Sequence, residues 1–122
     1  MTPAAGKSVL LVEDDALVGA VLREMLSALG YRVLDVARGA EAIRIIEGDS
    51  PLDILLTDLS LPGGISGIAI IKSANQHRPA VRKVLMSGFL SGQEASELDL
   101  LADVQLLPKP FTLGQLREVL GP

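Results

Sequence analysis

Side chains able to do chemistry stand directly after four short apolar runs of this chain. They are the acids Glu13-Asp14-Asp15, then Asp58, Ser87 and Lys109. A run such as Ile54–Leu56 has the composition of a buried strand. In open parallel sheets, ligands bind at the edge formed by the carboxyl ends of the strands. We therefore expect these polar groups to meet at one edge of a sheet.

The acids define the chemistry of this set. Three or four carboxylates in one crevice repel each other unless a cation neutralises them. Mg²⁺ prefers carboxylate, carbonyl and water oxygens, and it commonly takes one or two protein carboxylates together with phosphate oxygens. The acids at positions 13–15 and Asp58 therefore predict a Mg²⁺ site that leaves positions for a phosphoryl group.

Lys109 and Ser87 complete the set. A lysine ammonium can pair with Asp58 at rest and with phosphoryl oxygens afterwards. The Ser87 hydroxyl can donate a hydrogen bond to the same group. Because phosphoryl transfer needs mainly positioning and charge neutralisation, Asp58 is well placed to accept a phosphoryl group.

Each of these residues also has a plain structural interpretation. The acids at 13–15, and Asp15 above all, can be helix N-terminal acids favoured by the helix dipole. Asp58 can cap a loop or helix, Ser87 can belong to a turn, and Lys109 can be a solvated surface lysine. Their joint placement after strands one, three, four and five favours the chemical interpretation.

Apolar periodicity predicts five strands that alternate with five helices. The strands are predicted at Ser8–Val12, Tyr31–Val36, Leu52–Thr57, Val81–Met86 and Val104–Leu107. The helices are predicted at Ala16–Leu29, Ala40–Glu47, Ser66–Gln76 and Gln93–Leu101, and from the capping box at Thr112 onward. The first has an apolar face of Val18, Val21, Leu22, Met25 and Leu29, and the last is expected to bury Leu113, Leu116 and Leu120. This alternation predicts an α/β fold with a parallel sheet and helices on both faces, and five strands suit the doubly wound order 2-1-3-4-5.

Composition restricts the function further. The 122 residues are 48% hydrophobic, which suits one domain with a single substantial core. A net charge of -4 and three aromatic residues give neither a basic face nor a stacking platform for nucleic acid. The lack of cysteine excludes disulfides and thiolate sites. With no signal peptide and no apolar stretch of about 20 residues, we expect a cytoplasmic domain without direct membrane contact.

Over residues 8–120 the chain resembles the receiver domain of two-component response regulators. The segments that carry the resemblance are Val12–Asp15, Thr57–Pro62, Met86–Gly88 and Pro108–Phe111, in that order. The resemblance implies a flavodoxin-like receiver fold over one domain, residues 1–122, and a role in phosphorelay signal transduction.

The resemblance also implies a role for each site residue. Asp58 would accept a phosphoryl group from the phosphohistidine of a histidine kinase or histidine phosphotransfer protein. Asp14 and Asp58 would bind Mg²⁺ directly, Glu13 through water, and Ser60 through its main-chain carbonyl.

Two further roles come from the same resemblance. Ser87 would be the switch hydroxyl. Lys109 would be the family's lysine, with a cis peptide bond to Pro110 after it.

Three departures from the family pattern stand out. The loop after Pro62 is one residue longer than usual, with Ser66 where Asp is common, as in receivers that work with hybrid kinases. Leu106 stands where many members have Tyr or Phe, so no aromatic ring can swing inward from that position. The region Gly92–Asp103 is polar and slightly short, which indicates an output surface that is atypical or mobile.

The expected function is a phosphorylation-controlled protein interaction switch, without enzymatic action beyond phosphoryl transfer to and from itself. Phosphorylation adds a charge of about -1.5 to -2, which would draw in Ser87 and Lys109. Phe89 is expected to hinder the attacking water and so to prolong the phospho-form. The chain is expected to be a monomer or weak homodimer. Output would use protein contacts, onward phosphoryl transfer or a domain outside this sequence.

Three alternatives remain. A degenerate receiver would signal without phosphorylation. A phosphatase of the haloacid dehalogenase type would need a second Asp two residues after Asp58, where Ser60 stands. A flavin mononucleotide binder would share the fold, but the acids at 13–15 would repel its phosphate.

Overall fold

The computed structural model describes residues 6–101 and 103–121. Residues 1–5, on which part of the signal-peptide expectation rests, lie outside these ranges. Within the described ranges, the helices are all too short or too polar to span a lipid bilayer.

Five strands and five helices alternate along the chain. The strands are β1 (Ser8–Val12), β2 (Arg32–Val36), β3 (Ile54–Asp58), β4 (Arg82–Ser87) and β5 (Val104–Pro108). The helices are α1 (Ala16–Ala28), α2 (Gly39–Glu47), α3 (Gly67–His77), α4 (Gly92–Asp99) and α5 (Leu113–Leu120). The predicted elements are confirmed, and their predicted ends lie within two residues of these bounds.

All strand pairs are parallel, in the order β2-β1-β3-β4-β5, which confirms the predicted topology. The register aligns Val12 with Thr57 and Asp58 with Met86. It also aligns Ser87 with Pro108, so the carboxyl ends of β1, β3, β4 and β5 lie side by side. This alignment positions the site.

Two apolar clusters hold the sheet from its opposite faces. Successive strand residues point to opposite faces, so Leu11 and Leu56 join the cluster formed with α1 and α5. Leu10 and Leu55 join the cluster formed with α2, α3 and α4. The central strands β1 and β3 are buried on both faces, which fixes the positions of their ends.

Two helices bury less than their apolar patterns indicate. In α1, Leu22 is 3% exposed, whereas Val18 is 38% exposed and Val21 is 51% exposed. In α5, the predicted burial of Leu113 is wrong, because this side chain is 41% exposed while Leu116 and Leu120 are buried. Leu113 is the first residue of its helix, beside the exposed Thr112, and it belongs to neither core cluster.

Candidate functional site

The ends of the adjacent strands β1 and β3 bring three acids together. Glu13 and Asp14 follow β1, and Asp58 is the last residue of β3. One carboxylate oxygen from each of the three lies within 4.8 Å of the others. The Glu13 side chain is only 2% exposed and that of Asp58 is 13% exposed, whereas Asp14 is exposed to solvent.

Lys109 reaches this cluster from the loop after β5. Its ammonium nitrogen Nζ lies 3.1 Å from Asp58 Oδ2 and 3.5 Å from Glu13 Oε1. The loop is tied to β4, because the Lys109 backbone N–H donates to the Ser87 carbonyl over 2.9 Å. The peptide bond from Lys109 to Pro110 is cis, as the resemblance implied.

Burial and neighbouring charges shift the pKa values of Glu13 and Lys109. Burial raises the pKa of the Glu13 carboxyl, and the Asp58 charge adds to this, although the Asp15 N–H and Lys109 oppose it. Burial alone would lower the pKa of Lys109. The hydrogen bond and charge of Asp58, together with the Glu13 charge, outweigh burial and raise that pKa. The ammonium form of Lys109 is therefore stabilised by the acids that it contacts.

Asp15 has a structural role. Its carboxylate accepts hydrogen bonds from the backbone N–H groups of Leu17, over 2.9 Å, and Val18, over 3.1 Å, as an N-cap of α1. Its own N–H donates to Glu13 Oε2 over 3.2 Å. Asp15 is therefore a helix N-terminal acid, as its structural interpretation predicted. The acids placed closely enough to bind one metal ion are Glu13, Asp14 and Asp58.

Ser87 ends β4 beside the cluster, but its hydroxyl is bound to the loop that follows. Oγ donates to the Phe89 carbonyl over 2.8 Å and accepts from the Phe89 N–H over 3.2 Å. Ser60, two residues after Asp58, is exposed. The roles expected of Ser87 and of the Ser60 carbonyl stay predictions.

Two residues to which the sequence assigned no role contact the main chain of Asp58. The buried Thr57 hydroxyl donates to the Asp58 carbonyl over 2.9 Å. Gly67, the first residue of α3, passes so close that a Cβ there would clash with the Asp58 carbonyl oxygen. The glycine directly after the N-cap Ser66 was the available signal, but a sequence does not reveal which backbone it approaches.

Gly67→Ala is expected to destabilise the fold by about 1–3 kcal/mol, because the added methyl group displaces the Asp58 carbonyl. Urea unfolding measures this loss of stability. Gly92→Ala is the matched control, since Gly92 also opens a helix but has nothing within 4 Å of its added Cβ. Wild-type stability in Gly67→Ala would contradict the expected close approach.

An apolar groove of about 610 Å³ adjoins the acidic site. Its lining combines one side of α1 with the loop after β5, and consists of Leu17, Val18, Val21, Leu22, Met25, Lys109, Pro110 and Phe111. Leu17 is 76% exposed. Lys109 lines the groove and contacts Asp58, so the groove and the acidic site share this side chain.

The donor set fits a hard divalent cation. Three carboxylates offer oxygen ligands at one point, and the exposed Asp14 leaves that point open to solvent. Oxygen ligands with open positions are what Mg²⁺ takes in proteins. Beside them, Lys109 supplies a positive charge for an incoming anionic group.

Comparisons with known proteins agree with this geometry. Residues 9–121 match the family model described as response regulator receiver domain. The chain is 33% identical over 110 residues to the sensor kinase CckA of Brucella abortus, spanning 89% of this chain and 12% of that protein. It is 31% identical over 110 residues to the response regulator receiver protein CpdR of Brucella abortus, spanning 90% of both.

A solved structure gives the same result. The receiver domain of the sensor histidine kinase PA1611 from Pseudomonas aeruginosa superposes with a TM-score of 0.81 and is 31% identical, over 95% of each chain. That structure is described with a magnesium ion coordinated in its active site cleft. Family model, relatives and fold agree, and the chain belongs to the response regulator receiver domain family of two-component signalling.

Proposed function

We propose that this receiver domain accepts a phosphoryl group on Asp58 and thereby switches its interactions with other proteins. One observation carries the proposal: Lys109 Nζ lies 3.1 Å from Asp58 Oδ2 at the edge where Glu13, Asp14 and Asp58 converge. Asp58 is thus paired with the Lys109 ammonium. A phosphodonor can approach from the side of the exposed Asp14 and the adjoining groove.

The transfer itself is a displacement at phosphorus. A carboxylate oxygen of Asp58 forms the new P–O bond while the P–N bond of the donor phosphohistidine breaks, and the histidine nitrogen leaves with the electron pair. Lys109 then exchanges its contact with the Asp58 carboxylate for one with the phosphoryl oxygens. The Ser87 hydroxyl turns from the Phe89 backbone to the same oxygens.

Mg²⁺ would be held directly by Asp14 and Asp58, through water by Glu13, and by the Ser60 carbonyl. When bound, it supplies neutralisation of the charge on the phosphoryl oxygens. With Mg²⁺ bound, its two positive charges and that of Lys109 would equal the three negative charges of the ionised acids before transfer.

Acetyl phosphate labelling tests the function against the degenerate-receiver alternative. We expect intact-mass measurement to find one added phosphoryl group when Mg²⁺ is present and almost none when a chelator removes it. A chain that gains no mass with Mg²⁺, under conditions that label a known receiver, would favour signalling without phosphorylation.

The groove beside Lys109 supports a proposal for the phosphodonor's docking site. Its exposed apolar residues include Leu17, Val18 and Val21, which all lie on α1 and can contact an amphipathic helix of the partner. We assign this place to the histidine-bearing helix of a histidine kinase or phosphotransfer protein. Such a helix delivers its phosphohistidine next to Asp58 because Lys109 is shared by groove and site.

Val21→Asp is expected to slow transfer from a phosphorylated histidine protein about tenfold or more, because a charge in the groove must be desolvated on docking. Labelling by acetyl phosphate should not change, since this small donor does not use the groove. Val21 is 51% exposed, so the stability of the fold should change little.

Leu100→Asp is the control, an equal charge change at a side chain that is 87% exposed and does not line the groove. The donor is the phosphotransfer protein or kinase that labels the wild-type chain fastest in a panel. Equal transfer rates for Val21→Asp and wild type would exclude this docking site.

The domain as a whole fits the same proposal. We assign residues 8–120 to one receiver unit that works in the cytoplasm as a monomer or weak homodimer, with only self-directed phosphoryl transfer and hydrolysis. Its output, through protein contacts or onward transfer, stays a prediction.

A further inference from the structure

The loop between β4 and α4 is tied to the site by one side chain. Ser87 Oγ donates to the Phe89 carbonyl over 2.8 Å and accepts from the Phe89 N–H over 3.2 Å. Both backbone polar groups of Phe89 therefore depend on the direction of the Ser87 hydroxyl. Gly88 lies between them, and space around it is open, so the loop can pivot there.

The apolar side chain of Phe89 is exposed to solvent, which is unfavourable. Phe89 is 81% exposed, although aromatic side chains are stabilised strongly by burial. At its side lies a cavity of about 180 Å³ with a largely apolar lining that includes Leu85, Leu106 and Leu107. An engineered apolar cavity of about 150 Å³ is large enough to bind benzene, so this one has room for a phenyl ring.

Leu106 borders this cavity. It lies on the edge strand β5 at the rim of the cavity, and its side chain is 45% exposed. A branched aliphatic side chain at this position leaves space that the neighbouring loop can use.

We infer that Phe89 changes position when Asp58 is phosphorylated. Ser87 Oγ turns to the phosphoryl group, which releases the Phe89 backbone, and the Phe89 ring then enters the cavity beside Leu106. This inference rests on the proposed function. Water can replace the two lost hydrogen bonds because the loop is at the surface, while burial of the ring favours the new position. The phospho-form then lacks the exposed ring on the face formed by α4 and β5, and a partner can distinguish the two states by it.

Fluorine NMR tests the movement directly. The chain contains two phenylalanines, so labelling with 4-fluorophenylalanine gives two protein resonances, and Phe89→Leu identifies the one from Phe89. Beryllofluoride with Mg²⁺ mimics the acyl phosphate, and its own bound fluorines appear in the same spectrum. On adding it, we expect the Phe89 fluorine to lose most of its H₂O/D₂O solvent shift and to gain nuclear Overhauser contacts with the Leu106 methyl groups.

Each outcome of that experiment decides a different point. If no bound beryllofluoride is seen, the proposed function itself fails. If it is bound but the Phe89 fluorine keeps its solvent shift, the function stands and this inference is overturned. A protected ring without contacts to Leu106 would also overturn it, and would favour the expected shielding of the phosphoryl group from water.

Ser87→Ala tests the tether. Without the hydroxyl, the Phe89 fluorine should already be partly protected before beryllofluoride is added. Ser96→Ala, which removes an exposed helical hydroxyl bonded to the Gly92 carbonyl, is the matched control and should behave as wild type. A Ser87→Ala protein whose Phe89 fluorine is as exposed as in wild type would overturn the role of the tether.

Discussion

Asp58→Asn is expected to take up no phosphoryl group from acetyl phosphate or from a histidine donor. A carboxamide cannot form the acyl phosphate, so the loss should be complete and not partial. Asn has nearly the shape of Asp, and Lys109 keeps its contact with Glu13 Oε1, so the fold should persist. Intact-mass measurement and urea unfolding on the same samples separate loss of the acceptor from loss of the fold.

Asp15→Asn provides the control for this prediction. It removes one negative charge from the same crevice, but Asn serves as an N-cap about as well as Asp. Labelling should therefore stay near the wild-type level. A phosphoryl group on Asp58→Asn would show that another residue accepts it. Equal losses in both variants would show that the general charge of the crevice, and not the Asp58 carboxylate, governs the reaction.

Lys109→Met is expected to change two properties in opposite directions. Phosphorylation by acetyl phosphate should slow roughly 100-fold, the usual scale for loss of one group that stabilises a developing oxyanion. Mg²⁺ should bind several-fold more tightly, because the ammonium that lies 3.1 Å from Asp58 and 3.5 Å from Glu13 no longer opposes a second cation. Calorimetric titration with Mg²⁺ measures the second effect.

Lys72→Met is the matched variant, since it removes the same charge from an exposed position on α3. It should alter neither the rate nor the Mg²⁺ affinity measurably, because exposed charges at a distance are screened. If Lys109→Met binds Mg²⁺ as wild type does and is phosphorylated at the same rate, Lys109 is only a surface lysine.

Much of the fold followed from local patterns. The apolar runs of β1 and β3 are unbroken because both faces are covered, and this makes such strands easy to recognise. The alternation with helices then indicates a parallel sheet, and five strands suit the order 2-1-3-4-5. Since the carboxyl ends of parallel strands share one edge, the meeting of Asp58 with Lys109 could be expected before any distance was known.

Helix α1 illustrates what periodicity cannot decide. Its apolar residues include Leu22, which is 3% exposed, and Val21, which is 51% exposed, yet both fit one repeating pattern. A pattern identifies an apolar side but not how much of it the sheet covers. The uncovered part lines the groove beside Lys109, so the same residues that predicted a helix also form a candidate docking surface.

Two contacts with backbone groups could not be predicted from the sequence either. The Ser87 hydroxyl was expected near a phosphoryl group, but in this state it bonds to the Phe89 backbone. Gly67 packs against the Asp58 carbonyl through a close approach between a helix start and a strand end. Both depend on the three-dimensional course of loops, where spacing along the chain carries little information.

Borohydride reduction after phosphoryl transfer to the wild-type chain tests the assignment of the acceptor most directly, because it converts an acyl phosphate to an alcohol at the modified residue. Peptide sequencing by mass spectrometry then identifies that residue. We expect homoserine at position 58 and unchanged acids at positions 13 and 14. Reduction at either of those acids, with Asp58 unmodified, would contradict the assignment.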